Sequence, residues 1–344
     1  MSIDRQLSVI WPDEERPGQR TSAAGLSAEM TLCDFFGRYA WPDCLAPKGD
    51  ALSTRKDYEQ SLAYWRLFTG DPPLCEISKR TCSTFVQLLA GSRGKRDDRL
   101  LAANTIYKHW INCERLLRWT GPQTRQNREG AGLIEAPPWI STPRKDRPGP
   151  RPAFSLPEIQ AWLEALPRAA RLPARMVGVD PAAWWRAVIL LDYNTGLRSG
   201  TLFKIRWEQI AGAWLDVPAA ISKGKQGRLT WLNRPALDAI EPLRAPGGLV
   251  FRWSNWPACD NTFGQIMHRQ QRAAGVRPLT LYALRRAFCR ELVRINPLAA
   301  QLAMGHSGLG FSMMTNHYLD VEALLAESLA RLPQPGAAVQ GELF

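Results

Sequence analysis

Apolar positions recur at helical spacing through much of the first third of the chain. Phe35, Phe36 and Tyr39 share one face, and Tyr58, Leu62, Trp65 and Phe68 form a second stripe. Phe85, Leu88 and Leu89 follow, and Ile106, Trp110, Cys113, Leu116, Leu117 and Trp119 mark a last long helix from Thr105. This periodicity predicts a bundle of about four helices over 32–119. Residues 1–28 are polar, contain Pro12 and Pro17, and read as a flexible tail. The composition changes over 121–154, where a stiff, extended linker is expected at 126–154. Ser155-Leu156-Pro157-Glu158 then reads as a capping box opening a helix. Pro181 begins another helix, through Trp184, Val188, Leu191 and Tyr193 to a stop at Gly196. The period shortens over 213–232. There Ala219-Ala220-Ile221 and Leu229-Thr230-Trp231 read as strands flanking a turn from Ser222 to Gly227, and Leu249-Val250-Phe251 is a further candidate strand. Helical spacing returns over 261–274, 280–294, 297–304 and 321–332. The fold class expected is mainly α with a small antiparallel β-sheet, in two domains at 29–125 and 155–333 and a tail at 334–344.

Composition narrows the partners. The chain has 344 residues, 45% of them hydrophobic, enough for two domains with real cores. Lys and Arg total 44 against 32 Asp and Glu, a net charge of +12, and the pI is near 9.7. Nucleic acid is the leading partner for so basic a chain. The basic residues also cluster. Arg55 and Lys56 stand at a helix start, and Arg93, Lys95, Arg96 and Arg99 share a loop. Arg144, Lys145, Arg147 and Arg151 alternate with Pro143, Pro148, Pro150 and Pro152. Candidate DNA contacts are therefore Arg55, Lys56, Arg93, Lys95, Arg96, Arg144, Lys145, Arg147, Lys225 and Arg286. The seven cysteines are scattered and form no C-x-x-C pair, which argues against a disulfide framework or a zinc site and for a reducing cytosol. No metal or cofactor is expected. No secretory signal or membrane-length apolar run is evident, so a cytoplasmic location without membrane contact is expected.

The candidate chemistry lies in the second domain. Thr195-Gly196-Leu197-Arg198 places an arginine just past an apolar helix, where an unpaired charge awaits an anion. Lys223 occupies the turn Ser222-Lys223-Gly224-Lys225, and a mobile ammonium suits a general acid. Tyr282-Ala283-Leu284-Arg285 sets a second arginine on an apolar helix, with Arg286 roughly 100° around from it. Met304-Gly305-His306-Ser307 precedes Asn316-His317-Tyr318. A phenol, two guanidiniums and an imidazole can break a phosphodiester without metal: the phenol attacks phosphorus while the cations hold the charge developing on its oxygens.

That ordered set resembles the tyrosine recombinase (phage integrase) family. The resemblance makes 155–333 an α+β catalytic domain and 29–125 a helical core-binding domain that holds DNA. It implies that Arg198 and Arg285 grip the scissile phosphate, Lys223 protonates the leaving group, His306 donates to a non-bridging oxygen and Tyr318 is the nucleophile. It further implies cutting and rejoining of double-stranded DNA through a 3′-phosphotyrosyl link, and assembly as a homotetramer on paired sites. Two positions depart from the pattern. Tyr282 stands where the family has His or Lys, and Thr201 stands where it commonly has an acid. The interval from His306 to Tyr318 is also slightly long. Two other readings remain: a type IB topoisomerase-like enzyme, which shares the chemistry, and a recombinase-derived DNA-binding protein of reduced activity.

Overall fold

A computed structural model describes residues 25–48, 52–94, 99–146, 149, 151–173, 176, 178–222, 227–253, 260–305 and 320–336. The chain divides into two compact units, Met1–Gly149 and Pro150–Phe344.

The first unit is helical. Helix α1 (Leu32–Phe35) is capped by Thr31, whose side chain accepts from the Asp34 N–H, and runs on as a π-helix over Phe36–Leu45. Pro42 lies inside that π segment and removes a donor, and the widened turns persist to its end, where the Ala46 N–H donates to the Trp41 carbonyl. Helices α2 (Leu52–Thr69), α3 (Lys79–Ala90) and α4 (Ala103–Thr120) complete the unit. Ser78 and Thr81 form a capping box at the start of α3. The stripes read from sequence meet in one core, with Phe36, Tyr58, Leu62, Trp65, Phe85, Leu89, Trp110 and Leu116 all buried. Phe36 stacks on Tyr58 at 5.5 Å between centroids, and Trp65 meets Phe85 edge-on at 5.1 Å. A polar seam joins α2 to α4: Ser61 Oγ lies 2.9 Å from His109 Nδ1 and accepts from Asn112 Nδ2 at 3.0 Å. Buried Cys82 has its thiol pushed up to about 12 by desolvation, which fits a packing role. The chain beyond α4 turns back onto this unit. Ala131 N–H donates to Trp119 O and Leu133 N–H to Thr120 O, both at 2.8 Å, while Leu133, Ile134 and Ile140 pack on the core. The start of the stretch expected as linker from 126 therefore rests on the helices, because its apolar residues have a core to cover.

In the second unit, the capping box expected at Ser155 opens α5 (Leu156–Ala169), with Ser155 N–H donating to Glu158 Oε2 at 2.8 Å. Helix α6 (Pro181–Thr195) is the central element. From Trp184 onward nearly all its residues are buried, and it packs on α5, α8 (Arg234–Ile240) and α10 (Tyr282–Ile295). One turn, α7 (Ser199–Leu202), follows it. The sheet is an antiparallel meander of β1 (Ile210–Ala211), β2 (Trp214–Val217) and β3 (Arg228–Trp231), with Val217 opposite Arg228. The strand expected at Ala219-Ala220-Ile221 is a 3₁₀ turn, and its place in the hairpin belongs to Trp214–Val217. Pro218 offers no N–H to continue the ladder, whereas Leu215 and Val217 alternate into the core. Leu249 forms an isolated bridge with Arg206 rather than a strand. Helices α9 (Asp260–Ala273), α11 (Pro297–Met304) and α12 (Val321–Ala330) complete the unit. An aromatic knot of Trp184, Trp185, Phe203, Phe251, Trp253 and Phe263 anchors its core. Residues just past α12 are tied to α6: Tyr193 donates to Pro333 O at 2.6 Å, and Gln334 Nε2 to Asn194 Oδ1 at 2.8 Å. The fold is thus mainly α with a small antiparallel sheet, as the periodicity predicts. Among the described residues no helix is long and apolar enough to cross a membrane.

Candidate functional site

The ends of two helices meet on α10. Helix α6 stops at Gly196, which takes φ 56°, and its N–H caps the helix on Asp192 O at 2.8 Å. Only glycine suits this position. Left-handed backbone strains other residues, and a Cβ here would also overlap the Phe288 ring of α10. The chain then turns through Leu197 to Arg198, which sits half-buried at the start of α7. Helix α11 stops the same way at Gly305, with φ 65°.

Arg285 of α10 bridges these two ends. The residue is 1% exposed; its Nη1 donates to Gly196 O, and its Nη2 donates to Met304 O at 2.9 Å. Burial lowers its pKa, the neighbouring Arg198 lowers it further, and Tyr282 and Asp192 act in the opposite direction. A third guanidinium joins them. Arg228, the first residue of β3, reaches across to donate from Nη1 to Ala303 O in the last turn of α11. Burial, then Arg285 and Arg198, pull its pKa down to about 10. Among the described residues, no carboxylate forms an ion pair with any of the three. The acid that acts on Arg285 is Asp192 on α6, 1% exposed, whose pKa is pushed well above the usual carboxylate range by burial, with Arg285 opposing. Burial disfavours the charged form of this one carboxyl, which stands against three cations. Like charges gathered around helix-end carbonyls, with only a buried carboxyl beside them, favour an external oxyanion.

The structure thus brings together Arg198, Arg285 and Tyr282 from the sequence reading. Tyr282 is 45% exposed at the first position of α10, and the Arg286 guanidinium lies over its ring at 5.3 Å. Lys223, Lys225, His306 and Tyr318 lie outside the described residues. Thr201, where an acid is commonly found, donates from Oγ1 to Ile221 O at 3.2 Å, and so ties α7 to the chain two positions before Lys223. Sequence reading missed Arg228 and Asp192. Arg228 has one legible signal: it shares strand parity with Thr230, so its side chain faces inward. Asp192 has a similar signal as an acid on an otherwise buried helix.

The remaining DNA-contact candidates fall in both units. In the first, Lys56, Arg93, Arg144 and Lys145 are exposed. Arg55 pairs with Glu59 at 2.8 Å over the Trp41 ring, and Lys145 sits 3.8 Å over the Tyr107 ring. Lys95, Arg96 and Arg147 lie outside the described residues. In the second unit, Arg286 Nε donates to Pro152 O at 2.7 Å. Arg277 and Arg290 bind Ala153 O and Phe154 O, at 3.1 and 2.9 Å, so the three arginines pin the entry to the unit against α10 and the chain before it.

Residues 172–324 match the phage integrase family. No curated protein sequence matches. Solved structures sharing the fold include a lambda integrase tetramer bound to a Holliday junction (18% identity, TM-score 0.59, covering 83% of this chain and 77% of that one). They also include the XerH site-specific recombinase bound to difH substrate (15%, 0.54, 80% and 80%). A third is the Tn1549 transposon integrase with transposon right end DNA (16%, 0.55, 88% and 100%). Such low identities establish the fold alone, but the span of the family match contains Arg198, Arg228, Tyr282, Arg285 and the sequence positions of Lys223, His306 and Tyr318. Residues 172–324, most of the second unit, are similar to the phage integrase family, the tyrosine recombinases.

Proposed function

We propose that this protein is a site-specific DNA recombinase that cuts and rejoins double-stranded DNA through a 3′-phosphotyrosyl intermediate. The observation that carries the reading is the cluster of arginines where α6, α10 and α11 meet, none of them ion-paired to a carboxylate among the described residues, within the span that matches the family. Arg198 and Arg285 hold the non-bridging oxygens of the scissile phosphate, and His306 donates a further hydrogen bond. The Tyr318 oxygen forms a bond to phosphorus as the bond to the 5′ oxygen breaks. The phenol gives up its proton to solvent water, and Lys223 supplies one to the departing 5′ oxygen, which leaves as a hydroxyl. The phosphoester is conserved, so no nucleotide cofactor is consumed. A 5′-hydroxyl from a partner strand reverses the step in a new connection. The exposed cations of the first unit hold the duplex backbone without reading its sequence. Tyr282 contributes a neutral hydrogen bond in place of a charged donor. The protein works in the cytoplasm, and four copies assemble on paired sites, in the manner of the lambda integrase tetramer seen on a Holliday junction.

The test uses a nicked duplex drawn from the DNA flanking the coding sequence, in which a short fragment diffuses away after cleavage and traps the intermediate. The wild-type chain is expected to form a covalent adduct that survives denaturation, and Tyr318→Phe is expected to form none. An adduct that persists in Tyr318→Phe would show that another side chain is the nucleophile.

A further inference from the structure

Arg228 has no part in the ordered motif set, yet it is tied into the same site. It opens β3 opposite Val217, with its side chain on the inward-facing side shared with buried Thr230. A guanidinium at an inward strand position is costly unless it is hydrogen-bonded. Its partner comes from a distant part of the chain. Arg228 Nη1 donates to Ala303 O, and a Cβ built on Gly305 would lie 3.7 Å from the same nitrogen. Arg285 Nη2 donates to Met304 O, the very next carbonyl. Two guanidiniums, one from the sheet and one from α10, therefore hold consecutive carbonyls in the last turn of α11. The free carbonyls of a helix C-terminus carry partial negative charge, which favours cations there. They can neutralise only part of two full charges. Arg228 remains within electrostatic reach of both Arg285 and Arg198.

We propose that Arg228 is a positioning residue of the phosphate pocket: it clamps the end of α11 beside Arg285 and adds a third positive charge to the field in which the oxyanion binds. This rests on the recombinase reading for the identity of the anion, but the clamp and the charge stand without it. Three features follow from the geometry. Arg228 locks β3 to the helix end that precedes His306 in sequence. It takes Ala303 O, the carbonyl next to the one Arg285 holds, while Arg285 spans Gly196 O and Met304 O. It also raises the cost of leaving the pocket empty of an anion, because three like charges repel one another.

The test uses the full-length chain with Arg228→Lys and Arg228→Met, each checked for wild-type circular dichroism and cooperative melting. The first probe is tungstate, a tetrahedral oxyanion, titrated by calorimetry. Removing one nearby charge is expected to weaken its binding about tenfold in Arg228→Met, with Arg228→Lys in between. The second probe is the nicked duplex, made with either an ordinary phosphodiester or an uncharged methylphosphonate at the scissile position. Arg228→Met is expected to slow adduct formation on the phosphodiester by roughly a hundredfold or more, while duplex affinity stays within about threefold. On the methylphosphonate, the gap between variant and wild type should narrow to within about tenfold, because there is less charge to neutralise. Equal loss on both linkages would make Arg228 merely structural and overturn the proposal, as would unchanged tungstate affinity. If the wild-type chain forms no adduct at all, the recombinase reading fails while the tungstate titration still decides the role of Arg228.

Discussion

At the scale of single residues, Gly196 is where backbone and chemistry meet. Its left-handed φ ends α6, its missing Cβ admits the Phe288 ring, and its carbonyl receives Arg285. Gly196→Ala therefore combines backbone strain with overpacking. It is expected to destabilise the second unit by about 2–4 kcal/mol, read by chemical denaturation, and to lower cleavage further by displacing Arg285. A near-neutral result would mean that α10 can shift freely, so Arg285 is not held by this contact. Arg198→Ala and Arg285→Ala are each expected to cost about 3–4 kcal/mol of transition-state stabilisation, with much smaller loss of duplex affinity. Parallel losses in both measurements would mark these arginines as docking residues. The sequence could single out Arg198 and Arg285 as candidates, because Gly-Leu-Arg after an apolar run and Tyr-x-x-Arg on a helix are local patterns. Arg228 and Asp192 it could not. Their significance depends on what lies across the fold from them, and neither spacing nor composition reveals that a strand residue reaches a helix end some seventy-five positions away.

At the scale of elements, the helices were the readable part and the hairpin was not. The stripes of α2, α3 and α4 follow the helical period, and Ser155, Pro181, Gly196 and Gly305 punctuate their helices as their chemistry requires. The hairpin failed by one element, because a short apolar triplet at 219–221 fits a strand or a turn equally well and only Pro218 distinguishes them. The helical unit carries a testable pH dependence. His109 is 2% exposed, and burial, then Lys108, lower its pKa from 6.5 to about 4, with Asp57 opposing. The folded state therefore holds the neutral ring, while the unfolded chain takes up a proton as pH falls below 6.5. This contribution to stability is complete above that pH and is lost as pH falls toward 4, by up to about 1.4 kcal/mol per unit. Urea denaturation from pH 7 to pH 4.5 should show a steeper loss for wild type than for His109→Gln. Identical slopes would mean that the ring takes up its proton as readily in the folded unit as in the unfolded chain. The Ser61 contact to Nδ1 sets the geometry of that neutral ring.

At the scale of the whole molecule, two separate cores and a net charge of +12 matter more than any single contact. The stretch expected as linker from 126 begins on the helical unit, since apolar Leu133, Ile134 and Ile140 cover the helical core. The polar, basic residues that follow have no such surface to bury. Arg144 and Lys145 are exposed and offer trypsin a cut between the units, whereas Phe154 is fully buried in the second core. If each unit holds the same duplex, the intact chain binds with an effective-concentration advantage that cutting removes. Limited proteolysis is then expected to leave two folded fragments, each binding duplex DNA about 10²–10⁴-fold more weakly than the whole. Salt should separate their shares. A chain that neutralises roughly eight phosphates shows a slope of about −7 in log K against log salt, and each fragment should show a shallower one. The two fragment slopes should sum to that of the intact chain, because counterion release counts phosphates and is indifferent to whether the units are joined. A fragment that alone matches both the affinity and the slope of the intact protein would place the whole DNA interface on one unit, leaving the exposed cations of the other without a role in binding.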